Sequence, residues 1–191
     1  MEAEIDCKVD FQWRADTRSL HQVLNLIRGT SPGPVPDIDN WWLHCALAER
    51  DPVAATDALI ATGENPVQLG DDFNCNHQFM EGVIAHMRHD EQKAQLAFVA
   101  ARAEAQKIVE AQPNFAPAWC VLGLIDAALG QKEQALREGR HAVELLPVEK
   151  DAIRGPAVVT RLFIAIIPSK IARVNALRYW LKTCVRFDIA L

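Results

Sequence analysis

Threonine and tyrosine are scarce in this 191-residue chain, with six and one occurrences, and aromatic residues together make up 7%. A sheet draws heavily on such side chains, so their scarcity argues against a β-fold. Long apolar runs are missing too. The longest, Leu162 to Ile167, is six residues and stops at Pro168, far short of the roughly 20 residues a membrane span needs. The acidic start, Met1 to Asp6, has no apolar segment, so no secretory signal is expected. Cys7, Cys45, Cys75, Cys120 and Cys184 are odd in number and lack paired spacing. They read as reduced thiols of a cytoplasmic protein rather than a disulfide framework. Twenty basic residues against twenty-five acidic ones leave a net charge of −5, whereas a general nucleic-acid binder needs clustered positive charge. No phosphate loop, dinucleotide fingerprint, G-x-S-x-G elbow or H-E-x-x-H motif is present. The expectation is therefore no catalytic residue, no cofactor and no metal.

What the chain does have is alanine, 28 residues of it, within a composition that is 50% apolar and 24% charged. Alanine is the best helix former, and this balance belongs to a folded globular chain. The stretch Asp90 to Gln112 runs without glycine or proline and predicts a helix of about six turns, stopped at Pro113. Further helices are expected at 17–29, 39–50, 53–62, 74–88, 115–129, 132–145, 153–167 and 169–186. Short proline- and glycine-bearing breaks separate them, as at Asp51-Pro52 and Leu129-Gly130. Short connections imply antiparallel helix hairpins. The expected fold class is all-α.

An internal repeat sharpens this. Trp119, Leu122, Gly123, Ala135, Ala142 and Pro147 fall at the positions of the tetratricopeptide pattern W-x2-L-G…A…A…P, and the chain resembles that family. The small residues Gly123, Ala135 and Ala142 let two helix backbones approach closely. Trp119 and Leu122 fill the space between repeats, and Pro147 ends the second helix. Asp126 and Gly139 depart from the pattern, standing where aromatics are usual. Less complete copies lie upstream. Gly82, Ala94, Phe98 and Ala101 form one, its second helix extended by seven residues, close to two turns. Trp41, Trp42, Cys45, Ala54, Ala58, Ala61 and Pro66 form another, and Leu20, Leu24, Ile27 and Pro32 suggest a further second helix.

The resemblance implies a right-handed superhelix of antiparallel helix pairs. It divides the chain into an N-terminal extension (1–16), degenerate repeats (17–147, the best copy at 115–147 and the elongated helix at 90–112) and basic C-terminal helices (148–191). Segments such as Leu43–Asp51, Val121–Gly130 and Gly139–Pro156 are also similar to a bacterial group in which such repeats follow kinase, cyclase or winged-helix domains. That likeness implies a second function, the regulatory or sensor segment of a larger signalling protein. In residues 161–191 six basic side chains meet the single acid Asp188, and Ile171, Val174, Leu177, Leu181 and Val185 recur at helical spacing. This amphipathic tail reads as a cap on an open solenoid end, as a truncated or frame-shifted end, or as a membrane-surface helix. Any membrane contact would have to be made by this tail.

The resemblance implies binding rather than chemistry, with a peptide or helix held in a concave groove lined by the first helix of each pair. The residues expected there are Trp42, Phe79, Val83, His86, Cys120 and Leu124. They are largely apolar, so the expected partner is an apolar or amphipathic protein segment. Relatives that grip a C-terminal carboxylate use Lys, Asn and Arg on first helices, and 115–129 carries none. Two other features invite a chemical reading. Cys75, His77, His86 and His89 offer soft and imidazole ligands for a metal-dependent hydrolase, but their spacing matches no common zinc module. Asp126 lies in an apolar helix, where local pairing with Arg140 or His141 is the simpler expectation.

Overall fold

The computed structural model describes residues 16–30, 36–68, 73–152, 154–156 and 158–159. The basic stripe of 161–191 and most of the N-terminal extension lie outside them. Among the described residues seven helices account for most of the chain: α1 (Arg18–Thr30), α2 (Pro36–Glu49), α3 (Pro52–Ala61), α4 (His77–Met87), α5 (Glu91–Ala111), α6 (Ala116–Ala128) and α7 (Lys132–Leu145). None of these helices is long and apolar enough to cross a membrane. The most extensive packing is within the pairs α6/α7, α4/α5 and α2/α3, followed by α5 on α6, α3 on α4 and α1 on α2.

One departure from pure helix lies between α3 and α4. Two short strands, β1 (Val67–Gln68) and β2 (Asn74–Cys75), pair antiparallel with Val67 opposite Cys75 and Gln68 opposite Asn74. The helix expected from residue 74 therefore starts at His77. Asn76 sets that boundary: its side chain accepts from the Phe79 N–H at 3.1 Å while its amide donates to the Ala101 carbonyl at 3.0 Å. An Asn at the N-cap satisfies a donor that the first turn leaves free.

Three turns share one geometry. At Arg50, His89 and Gly130 the backbone is left-handed, with φ of 60°, 62° and 80°. The N–H of the next residue reaches back five positions, Asp51 to Ala46, Asp90 to Ala85 and Gln131 to Asp126, at 3.0, 3.0 and 2.8 Å. Four residues on, Ala55, Ala94 and Ala135 bond back to those same turn residues, and all three alanines are buried. Asp51 and Asp90 also cap the following helices with their carboxylates, accepting from the Ala54 and Lys93 N–H groups at 3.0 Å. The same closure thus recurs between α2/α3, α4/α5 and α6/α7. It also corrects the register expected in the first pair: the turn-facing alanine is Ala55, while Ala54 is only half-buried.

Twelve residues before each such alanine stand Leu43, Gly82 and Gly123, all buried. A Cβ on Gly82 would overlap the ring of Phe98, and one on Gly123 would lie 3.2 Å from the Ala135 carbonyl oxygen and 3.5 Å from the Gly139 nitrogen. The missing side chains are therefore what lets α4 take the Phe98 ring and α6 lie against the α7 backbone. Gly139, placed where an aromatic was the usual residue, serves that same close approach. Trp119 packs against the core with its indole N–H on the Pro113 carbonyl (2.8 Å) and its ring edge-on to His141 at 4.7 Å.

One apolar core runs from Leu43 through Val67, Phe73, Phe79 and Phe98 to Ile125 and Ala142. A second, smaller one joins α1 to α2 through Leu20, Leu24, Cys45 and Ala48. On α5, Ala94, Phe98, Ala101, Ala105 and Val109 are buried at spacings of three and four, which is one helix face. That face runs from Ala94 to Val109, about 24 Å of the helix.

Candidate functional site

The expected groove does not present itself as an open surface. Phe79, Cys120 and Leu124 are buried in the main core, and only Trp42, Val83 and His86 are partly exposed. The reason is the β1–β2 hairpin. β2 packs on α6, and Val67, Phe73 and Cys75 enter the same core cluster as Phe79, Cys120 and Leu124. β1 is tied to α2: the Asn40 side chain exchanges hydrogen bonds with the Gln68 backbone at 3.2 and 3.3 Å, and His44 Nε2 donates to the Gln68 carbonyl at 2.9 Å. Since a carbonyl only accepts, the imidazole proton sits on Nε2, and the buried Nδ1 meets no partner. Burial pushes the His44 pKa down to about 4, with the Gln68 bond opposing it, so the ring is neutral. Trp42 is itself engaged, with the Arg28 guanidinium 3.1 Å from its ring centroid, and His86 faces Glu91 at 3.0 Å.

Cys75, His77, His86 and His89 do not converge. Cys75 is buried in the hairpin, where desolvation pushes its thiol well above the ordinary range. His77 Nε2 lies 2.8 Å from the Asn65 carbonyl, and His89 occupies the left-handed turn. The hydrolase reading built on these four residues has no assembled site behind it.

Asp126 is fully buried and pairs neither with Arg140 nor with His141. Its partner is Arg102 of α5, whose Nε donates to Oδ1 at 2.5 Å and whose Nη2 donates to Oδ2 at 3.2 Å. A two-pronged guanidinium–carboxylate bond is the strongest form such a pair takes. Glu138 of α7 completes the cluster, with Oε1 4.0 Å from Arg102 Nη2. Burial first, and then the charge of Asp126 beside it, push the Glu138 carboxyl up to about 8. Protonated, Glu138 has a hydrogen to share with Asp126, and its buried Oε2, which meets no donor, carries no charge. The cluster then holds one cation and one anion among α5, α6 and α7. Asp126 thus meets a cation of the neighbouring helix rather than an apolar side chain.

A second polar cluster, which the sequence reading did not single out, joins α1 to α2. The ligand atoms of His21, Cys45 and Glu49 all lie within 4.8 Å of one another. His21 Nδ1 is 3.2 and 3.1 Å from the two oxygens of Glu49, and Cys45 Sγ donates to Glu49 Oε1 at 3.7 Å. Burial, and then the charge of Glu49, push the Cys45 thiol up to about 12. Cys45 and Glu49 are one helical turn apart, a spacing that shares a face. His21 comes from 24 positions earlier, so no sequence motif announces the trio.

Compared with known proteins, the chain matches no family model, no curated protein and no solved structure.

Proposed function

We propose that this chain is a non-catalytic protein-interaction module of the tetratricopeptide type, taking an apolar or amphipathic segment of another protein. The repeat side of the reading is supported by the turn closure at Arg50, His89 and Gly130 and by the buried alanine that follows each. The binding side rests on α5. Opposite its buried face, Leu96 is 67% and Val99 53% exposed, and Ala100 and Ala103 beside them are exposed as well. Single exposed apolar residues are ordinary, but an aligned stripe of them marks a surface that gains by being covered. Fully burying a Leu or Val side chain contributes about 1.5–3 kcal/mol. With Phe79, Cys120 and Leu124 inside the core, the outer face of α5 is the better docking surface than the first-helix groove.

The test is cross-linked capture from source-cell lysate with the intact chain, Leu96→Asp plus Val99→Asp, and Ile60→Asp as an exposed apolar control on α3. All three must show the same helical circular dichroism. Proteins retained by the intact chain and by Ile60→Asp, but lost from the α5 double variant, support the reading. Capture that the α5 variant leaves unchanged, or no specific capture, overturns it.

A further inference from the structure

We propose that His21, Cys45 and Glu49 form a zinc site with a water at the fourth position, tying α1 to α2. The geometry carries this. In a tetrahedral zinc centre the ligands lie about 2.0–2.1 Å (nitrogen, oxygen) and 2.3 Å (sulfur) from the metal. Those lengths put nitrogen and oxygen about 3.3 Å apart and sulfur and oxygen about 3.5 Å apart. The structure already holds Glu49 Oε1 3.2 Å from His21 Nδ1 and 3.7 Å from Cys45 Sγ. Two edges meet at that carboxylate oxygen and the third, between His21 and Cys45, is within 4.8 Å, so an ion enters by replacing hydrogens with small side-chain adjustments.

The donor set chooses the metal. A thiolate beside an imidazole favours zinc and its late first-row neighbours, while magnesium and calcium take oxygen ligands. Access fits as well. Cys45 is buried at the base of the cluster, whereas the His21 and Glu49 side chains are 47% and 29% exposed. The ion therefore arrives from the His21 side, and solvent supplies the fourth ligand. The proton balance is simple. The Cys45 thiol gives up its hydrogen to solvent, His21 presents the Nδ1 lone pair with its remaining proton on Nε2, and Glu49 binds as the carboxylate. One thiol proton leaves for each zinc bound, and no redox change is involved.

The cluster also sits where an added bond has leverage. α1 is held by the small core of Leu20, Leu24, Cys45 and Ala48 and by the Arg28–Trp42 stack. Zinc adds a cross-link between the first turn of α1 and the last turn of α2, so amides of 18–30 gain protection from hydrogen exchange when it binds.

The experiment titrates metal-free, reduced full-length chain with Zn²⁺ against a chromophoric chelator and with Co²⁺ as a spectroscopic substitute. The expected result is one equivalent bound, with a thiolate-to-cobalt charge-transfer band and tetrahedral ligand-field absorption. His21→Ala, Cys45→Ser and Glu49→Gln each weaken binding beyond the roughly 10–100-fold lost when only an outer-shell partner is removed. His77→Ala leaves it unchanged. A wild-type chain that shows no thiolate–cobalt band overturns the proposal without reference to any variant. Binding that survives in both His21→Ala and Cys45→Ser overturns it too.

Discussion

The two ends of the described structure are held together by different physics. At the α6/α7 end, backbones meet through Gly123, Ala135 and Gly139, α6 is buried along nearly its whole length, and an ion pair with a fully buried carboxylate fixes the contact with α5. At the α1/α2 end the fully buried core is four residues, with Val23, Ile38, Trp41 and Trp42 packed against it. That seam also carries a histidine–carboxylate pair and a guanidinium over an indole. Close packing is intolerant of volume change, and salt screens a buried charge pair far less than an exposed one. Charge-based contacts at a half-exposed seam tolerate volume but answer to salt. The lesson is that the two ends rest on different contacts, so each is open to a different perturbation.

The largest test of that contrast is Arg102→Ala. It strands the fully buried Asp126 without its partner, and breaking a buried pair by removing one member costs about 3–5 kcal/mol. Because Arg102 is 31% exposed, we expect the lower end, about 3 kcal/mol, read as a fall in the urea midpoint. Asp126→Asn, which removes the charge but keeps acceptor capacity, costs less. Next in size is Gly123→Ala. Its Cβ would press on the Ala135 carbonyl at 3.2 Å, and overpacking of this kind costs about 1–3 kcal/mol. Helix propensity returns about 1 kcal/mol of that, leaving a net loss that thermal unfolding resolves.

A pH series separates the two ends by sign. The neutral, buried His44 on the α2 side has its pKa pushed down from 6.5 to about 4. The unfolded chain takes up a proton in that interval that the folded chain refuses, so this contribution is lost as pH falls from 6.5 toward 4. Glu138 at the α7 end is pushed up from 4.5 to about 8. Here the folded chain keeps a proton that the unfolded chain has released, so its contribution is lost as pH rises from 4.5 toward 8. His44→Gln should flatten the acid limb of the stability profile, and Glu138→Gln the alkaline limb. If both variants flatten the same limb, the assignment of the two ends fails. The smallest effect belongs to Arg28→Ala, about 0.5–1 kcal/mol for a partly exposed cation–π contact. It shows as faster hydrogen exchange confined to 18–30, with α6 and α7 unchanged.

Much of the helical layout was legible in the residues, because capping and breaking are local. Asp51, Asp90, Pro113 and Gly130 mark their boundaries by chemistry that acts within one turn. Gly123 and Ala135 were legible for the same reason: a helix pair closed by a short turn brings residues twelve apart face to face. The register of the first pair was not, since Ala54, Ala55 and Ala58 offer the same methyl group and only packing selects Ala55. The hairpin at 67–75 escaped notice because two paired residues on each strand leave too little alternation to read. That omission is what made Phe79, Cys120 and Leu124 look like groove residues. The partners of Asp126 and of the His21, Cys45 and Glu49 cluster lie 24 and 28 positions away, across helix seams whose rotation the sequence alone does not fix.

The β1–β2 hairpin has a consequence for cooperativity. In an array of helix pairs where each unit touches only its neighbours, unfolding can fray inward from either end, one unit at a time. The hairpin breaks that rule, since it is bonded to α2 through Asn40 and His44 and seated on α6 through β2. It therefore links the first hairpin pair to the third, with the second lying between them in sequence. Loss of α2 removes support from α6 as well. The contacts predict that the helices from α2 to α7 melt together, because the short insertion turns a chain of neighbours into a closed circuit.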